Sequence, residues 1–130
     1  MYLPLWLPSG TTFRTIGYGL SRVGNQAFAN YVDANLYLTH INNKEDPIPI
    51  LPGRSLGFVH PSGEVHIQDS GEWAACPGKF FLPLMLDSLT TRRTGQDNPS
   101  TECIVGDVPT ILDDNLADNN GPYNGITTGC

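Results

Sequence analysis

At 130 residues with a formal charge of −6, the chain is the size of one domain. Its content of 39% hydrophobic and 15% charged residues can bury a core, and 13 acidic against 7 basic residues argue against nucleic acid and anionic membrane surfaces as partners. No apolar run approaches the ~20 residues of a transmembrane segment. Met1 to Leu7 is apolar, but no basic residue precedes it and Pro4 and Pro8 break it, so it makes a poor signal peptide. It reads as the tail of a buried segment leaving through the Pro8-Ser9-Gly10 turn, and the expectation is that sequence is missing upstream.

Thr12 to Tyr18 is rich in β-branched and aromatic residues and predicts a strand. Gly19 to Gly24 is a loop. Asn25 can cap a helix running to about Asn35, with Ala27, Phe28, Tyr31 and Val32 at helical spacing. Leu36 to Ile41 predicts a second strand. Strand, helix and strand in this order form a βαβ unit, which implies parallel strands and an α/β fold. The polar loop Asn42 to Asp46 then leaves the end of the second strand, where α/β sheets place their chemistry. Pro47 to Pro52 cannot continue as helix and suits an extended edge or covering loop. Leu56 to Val59 and Glu64 to Gln68 flank Pro61-Ser62-Gly63 and predict a hairpin. From Asp69 onward Gly, Asn and Asp recur, and a loop-rich tail is expected.

Gly53-Arg54-Ser55-Leu56-Gly57 matches the Gly-x-Ser-x-Gly pattern that exposes a serine nucleophile on a strand-to-helix turn. Its context is wrong. Pro52 precedes it, a hairpin is expected after it, and no histidine lies beyond His66 to serve as base. His40, His60 and His66 are expected to be hydrogen-bonded structural residues. A zinc site would need more converging ligands than Glu64 and Asp69 supply, so neither metal nor cofactor is expected. Asp46, before Pro47, has the form of a turn residue. Its place after the second strand also suits a carboxylate that orients a histidine arriving from elsewhere.

Tyr18-Gly19-Leu20-Ser21-Arg22-Val23-Gly24-Asn25 resembles a Gly-x-Pro-Arg-Val-Gly-Asn motif of class 3 (fungal) lipases, with Ser21 where proline is usual. His40 to Pro52 looks like that family's acid loop, and Gly57 to Ile67 is similar to its following hairpin, with Ser55 where a bulky apolar residue is more usual. Pro122-Tyr123-Asn124-Gly125-Ile126 and Cys130 resemble its last segment. The resemblance implies the C-terminal half of an α/β-hydrolase fold over residues 1–130, extracellular by family. It also implies hydrolysis of acylglycerols or other carboxylic esters by a Ser-Asp-His triad. Asp46 matches the triad acid. The nucleophile would lie before Met1. The histidine, three residues before the tyrosine, would fall at Asn120, and asparagine cannot act as a general base near neutral pH. The expectation is a fragment inactive alone, the alternatives being a non-catalytic lipid-binding relative or a hydrolase that uses Ser55.

Lys79 to Gly95 departs from the resemblance, apolar and then basic within a polar loop. Gly-Lys-Phe can be encoded GGT-AAG-TTC, which contains the common intron start GTAAGT, so this insert is read as a retained intron, with a genuine surface insertion as the alternative. By resemblance Cys76 and Cys103 pair across it, and Cys130 is left for a partner in the N-terminal part of such a domain.

Overall fold

A computed structural model of the chain describes residues 6–76, 95–112 and 114–128. The chain forms strand β1 (Arg14–Tyr18), helix α1 (Gln26–Asn35) and strands β2 (Tyr37–Asn43), β3 (Glu64–Ile67) and β4 (Trp73–Ala75), followed by a single turn, α2 (Ile104–Asp107). Short 3-10 turns lie at Ile48–Ile50, Arg54–Leu56 and Leu116–Asn120. Asn25 starts α1 by accepting the Phe28 N–H at 3.1 Å on its side-chain oxygen. Extended Leu36 ends it, returning its N–H to the Val32 carbonyl at 2.8 Å. Ala29 and Val32 are the buried residues of the helix.

The strands lie in the order β1-β2-β3-β4. β1 runs parallel to β2, with Tyr18 opposite Ile41, so the βαβ unit is present and the architecture is a partial α/β fold. β3 is also parallel to β2, pairing Glu64 with His40, and β4 is antiparallel to β3.

Three expectations are corrected by this topology. The hairpin is formed by β3 and β4 through a turn at 68–72, where Gln68 N–H bonds the Glu72 carbonyl at 2.9 Å, and not by 56–59 with 64–68. The period-2 pattern of Glu64 to Gln68 marked a strand without marking its partner. Gly63 decides the partner, because at φ +101° the space its Cβ would take is filled by the Leu38 carbonyl of β2. Pro47 to Pro52 is not extended throughout: it winds into the turn Ile48–Ile50, with proline tolerated at the start and Ile50 packed inward. Asn42 and Asn43 belong to β2, fully buried, and only the residues after them leave the sheet.

Ile50, Ile104, Val105 and Val108 form one apolar cluster, and Ile41, Ile67 and Tyr123 another, with Val65 packed against it. Cys76 and Cys103, 27 residues apart, are joined by a disulfide. Closing a loop of that length is worth about 3–4 kcal/mol in the chain-entropy model. A phosphine reductant is therefore expected to lower the denaturation midpoint markedly, whereas an unchanged midpoint would mean that the loop stays closed without the bond. Lys79 to Gly95 lies outside the described residues apart from Gly95, and so do Cys130 and the first five residues.

Among the described residues β1 has a strand on one side only, and Ile16, Tyr18 and Tyr37 are exposed. An open parallel edge with exposed apolar side chains favours self-association. The purified chain is expected to bind ANS strongly and to sediment as more than a monomer. A monomer with a sharp cooperative melt would contradict this.

Candidate active site

Asp46 stands three residues beyond β2 and is fully buried. The chain turns there through Lys44 at φ 43°, with Lys44 N–H on the Ile67 carbonyl at 2.7 Å and Asp46 N–H on the Asn43 carbonyl at 3.0 Å. Asp46 Oδ1 accepts the Ile48 N–H at 2.9 Å. Asp46 Oδ2 has no hydrogen-bond partner among the described residues. That oxygen lies 3.0 Å from the point a Gly19 Cβ would occupy, and Asn119 Oδ1 and the Tyr123 hydroxyl approach the same point at 2.9 and 3.3 Å. Gly19 at φ +54° leaves this space open, and any side chain there would displace the acid.

The segment carrying Asn119 is tied to the acid loop at three places. Asn115 N–H bonds the Glu45 carbonyl at 2.9 Å, Asn43 Nδ2 donates to the Asp118 carbonyl at 2.9 Å, and Tyr123 packs on Ile41 and Ile67. Tyr18 meets the Tyr123 ring edge-on at 5.0 Å between centroids. Burial pushes the Asp46 carboxyl up to about 6, and neighbouring Asp118 adds to this, while the Ile48 N–H opposes it. Burial also pushes the Tyr123 phenol up to about 12, so it stays a neutral donor beside the acid.

A buried carboxylate with one oxygen held by backbone and the other open can orient an imidazole and stabilise its cation. In this chain no histidine reaches it. His40 Nε2 lies 3.2 Å from the Pro61 carbonyl, and His60 Nε2 lies 2.6 Å from the Pro49 carbonyl. The two rings stack at 4.8 Å. His66 is buried in β3 beside Glu64 and Asp107. Asn120, the position counted back from Tyr123, is exposed on the 3-10 turn, and Oδ1 of its neighbour Asn119 reaches the space over Gly19 that Asp46 Oδ2 also borders. Ser55 is exposed on the turn Arg54–Leu56, and none of the histidine nitrogens bonds it.

Burial holds the His40 imidazole down near about 3, with His60 adding to the effect, and holds His60 down near about 4. Both are neutral in the fold, whereas unfolded imidazoles titrate near 6.5. The stability they contribute is present above pH 6.5 and is lost as pH falls toward 4. NMR should find the His40 ring uncharged at pH 5, and a ring titrating near 6.5 would contradict its burial.

In the order and parallel pairing of β1, β2 and β3 the chain is similar to the α/β folds of fungal lipases. No family model matches the chain. It is 39% identical over 77 residues to the secreted mono- and diacylglycerol lipase LIP2 of Malassezia restricta, a match covering 56% of this chain and 24% of the relative. It is 41% identical over 78 residues to the secreted mono- and diacylglycerol lipase MDL2 of Malassezia globosa, covering 57% and 26%. In structure it superposes on the triacylglyceride lipase of Rhizomucor miehei with a TM-score of 0.61 and 26% identity, over 98% of this chain and 41% of that one. The chain thus spans well under half the length of the proteins it matches. Among the described residues no helix is long and apolar enough to cross a membrane.

Proposed function

We propose that the chain supplies the acid-loop portion of an extracellular carboxylic ester hydrolase acting on acylglycerols, and that as it stands it does not turn over substrate. The observation carrying this reading is Asp46, buried at the end of β2 with one oxygen fixed by Ile48 N–H and the other open beside Asn119 and Tyr123. The likeness to secreted mono- and diacylglycerol lipases supports lipid esters as the substrate class. General-base catalysis needs a group that takes a proton from the nucleophile, and a carboxamide cannot do so near neutral pH.

The test is a chimera in which this chain replaces the matching segment of the Malassezia restricta lipase. It is expected to leave diacylglycerol intact. Asn120→His or Asn119→His should then restore hydrolysis, and the further change Asp46→Ala should remove it again. If neither histidine restores turnover, Asp46 is not the acid of a triad. The carboxamide beside Asp46 also supports a second reading, a non-catalytic lipid-binding scaffold. Saturable binding of a fluorescent fatty acid, with no rescue by either histidine, selects it.

A further inference from the structure

A cavity of about 220 Å³ lies between the tail of the acid loop and the segment that runs out of α2. Its walls are aliphatic. Ile50, Val105 and Val108, which pack together as a buried cluster, form one part, and the exposed Leu51 and Ile111 form another. Arg54 lines it from the turn Arg54–Leu56, which Gly57 closes by donating its N–H to the Arg54 carbonyl at 2.9 Å. Among the described residues no carboxylate and no aromatic ring lines this space. Of the two guanidiniums that border it, Arg22 is taken up by Asp97 at 2.7 Å and by the Ile50 and Pro52 carbonyls. Arg54 is exposed and makes no ion pair among the described residues. An aliphatic hollow with one uncompensated cation suits an amphiphile with an anionic head and an aliphatic tail. A guanidinium offers a carboxylate two parallel N–H donors, and the walls take the tail out of water. At roughly 30 Å³ for each water-sized group, the space takes about seven of them, the tail of a medium-chain acid.

We propose that this cavity binds a medium-chain fatty acid as its carboxylate, with the head on the Arg54 guanidinium and the tail against Ile50, Val105 and Val108. None of Asp46, Asn119 and Tyr123 lines the cavity, so binding there makes no use of the acid. The choice of a fatty acid among carboxylate amphiphiles rests on the ester-hydrolase reading, in which a fatty acid is the product released. The contact with Arg54 and the aliphatic walls does not depend on that reading.

The test titrates the full 130-residue chain with sodium octanoate by isothermal calorimetry, with 1-octanol as the uncharged probe of similar tail. One octanoate per chain is expected, bound about tenfold more tightly than octanol. Affinity should rise from butanoate to octanoate and then level off, because further methylenes stay outside the cavity. Arg54→Gln should abolish the preference for octanoate over octanol. Ile111→Glu, which brings a like charge to the cavity, should weaken octanoate more than octanol. Both positions are exposed, so neither change opens the core. Ile16→Lys, on the open edge of β1, should leave both affinities as they are. Octanoate affinity unchanged by Arg54→Gln, or lost in Ile16→Lys, would overturn the proposal, as would the absence of saturable binding. Histidine rescue in the chimera is read separately. Failed rescue with octanoate held through Arg54 removes the hydrolase reading and leaves this site standing, whereas rescue without octanoate binding removes the site alone.

Discussion

Arg22→Ala is expected to cost about 3–5 kcal/mol of folding stability, the range for breaking a buried ion pair from one side. Arg22 Nε and Nη2 each lie 2.7 Å from Asp97 Oδ1, with both side chains almost fully buried. Arg22 Nη1 donates to the carbonyls of Ile50 and Pro52, and the Arg22 backbone N–H donates to Leu51. Asp97 in turn accepts the His60 N–H at 3.3 Å. One guanidinium therefore joins the loop after β1, the tail of the acid loop and a segment 75 residues further along the chain. Alanine would leave the Asp97 charge buried and the carbonyls unbonded. Arg22→Lys should recover only part of the loss, because an ammonium cannot serve the carboxylate and the carbonyls from one plane. The double variant Arg22→Met with Asp97→Leu should cost less than the single losses added together. Urea denaturation reads all of these, and a loss under about 1 kcal/mol for Arg22→Ala would mean the pair behaves like a solvent-exposed one.

Asp46→Asn is expected to act in the opposite direction, stabilising the chain by about 1–2 kcal/mol at pH 8. The folded Asp46 titrates near about 6, above its ordinary 3.8, so its contribution to stability is full below pH 3.8 and is lost as pH rises through 6. Asparagine keeps an acceptor for the Ile48 N–H and removes the buried charge that burial disfavours. Wild type and variant should therefore have nearly equal denaturation midpoints at pH 4 and differ at pH 8. A variant destabilised at both pH values would mean that the open carboxylate oxygen is satisfied in solution.

Much of this arrangement was legible in the residues. Asn25 and the helical spacing of Ala27, Phe28, Tyr31 and Val32 mark α1, although of these only Val32 is buried and Ala29 is its companion; the flanking β-branched runs mark β1 and β2, and together they imply parallel pairing and a carboxylate beyond β2. Less legible was anything that depends on who packs against whom. Nothing local to Arg22 points to Asp97, because an ion pair across 75 residues leaves no periodic signal. The alternation in Glu64 to Ile67 reads equally well against β2 or against a hairpin partner, and the choice rests on the fit of Gly63 against Leu38. The histidines looked like residues at strand and hairpin ends. His40 and His60 are the hydrogen-bonded structural residues expected, and the structure adds their partners: they pin loops through the Pro61 and Pro49 carbonyls. Within the turn Leu116–Asn120, Asn120 is exposed while Asn119 Oδ1 reaches the space over Gly19, a difference that no spacing rule anticipates.

Hydrolysis by the purified 130-residue chain tests most directly whether Asp46 stands in it without a catalytic base. The substrates are emulsified diacylglycerol and a short p-nitrophenyl ester, assayed from mildly acid to alkaline pH against a tag-only control. No turnover above that control is expected with either substrate. Turnover that Ser55→Ala or a serine-directed phosphonate abolishes would contradict it.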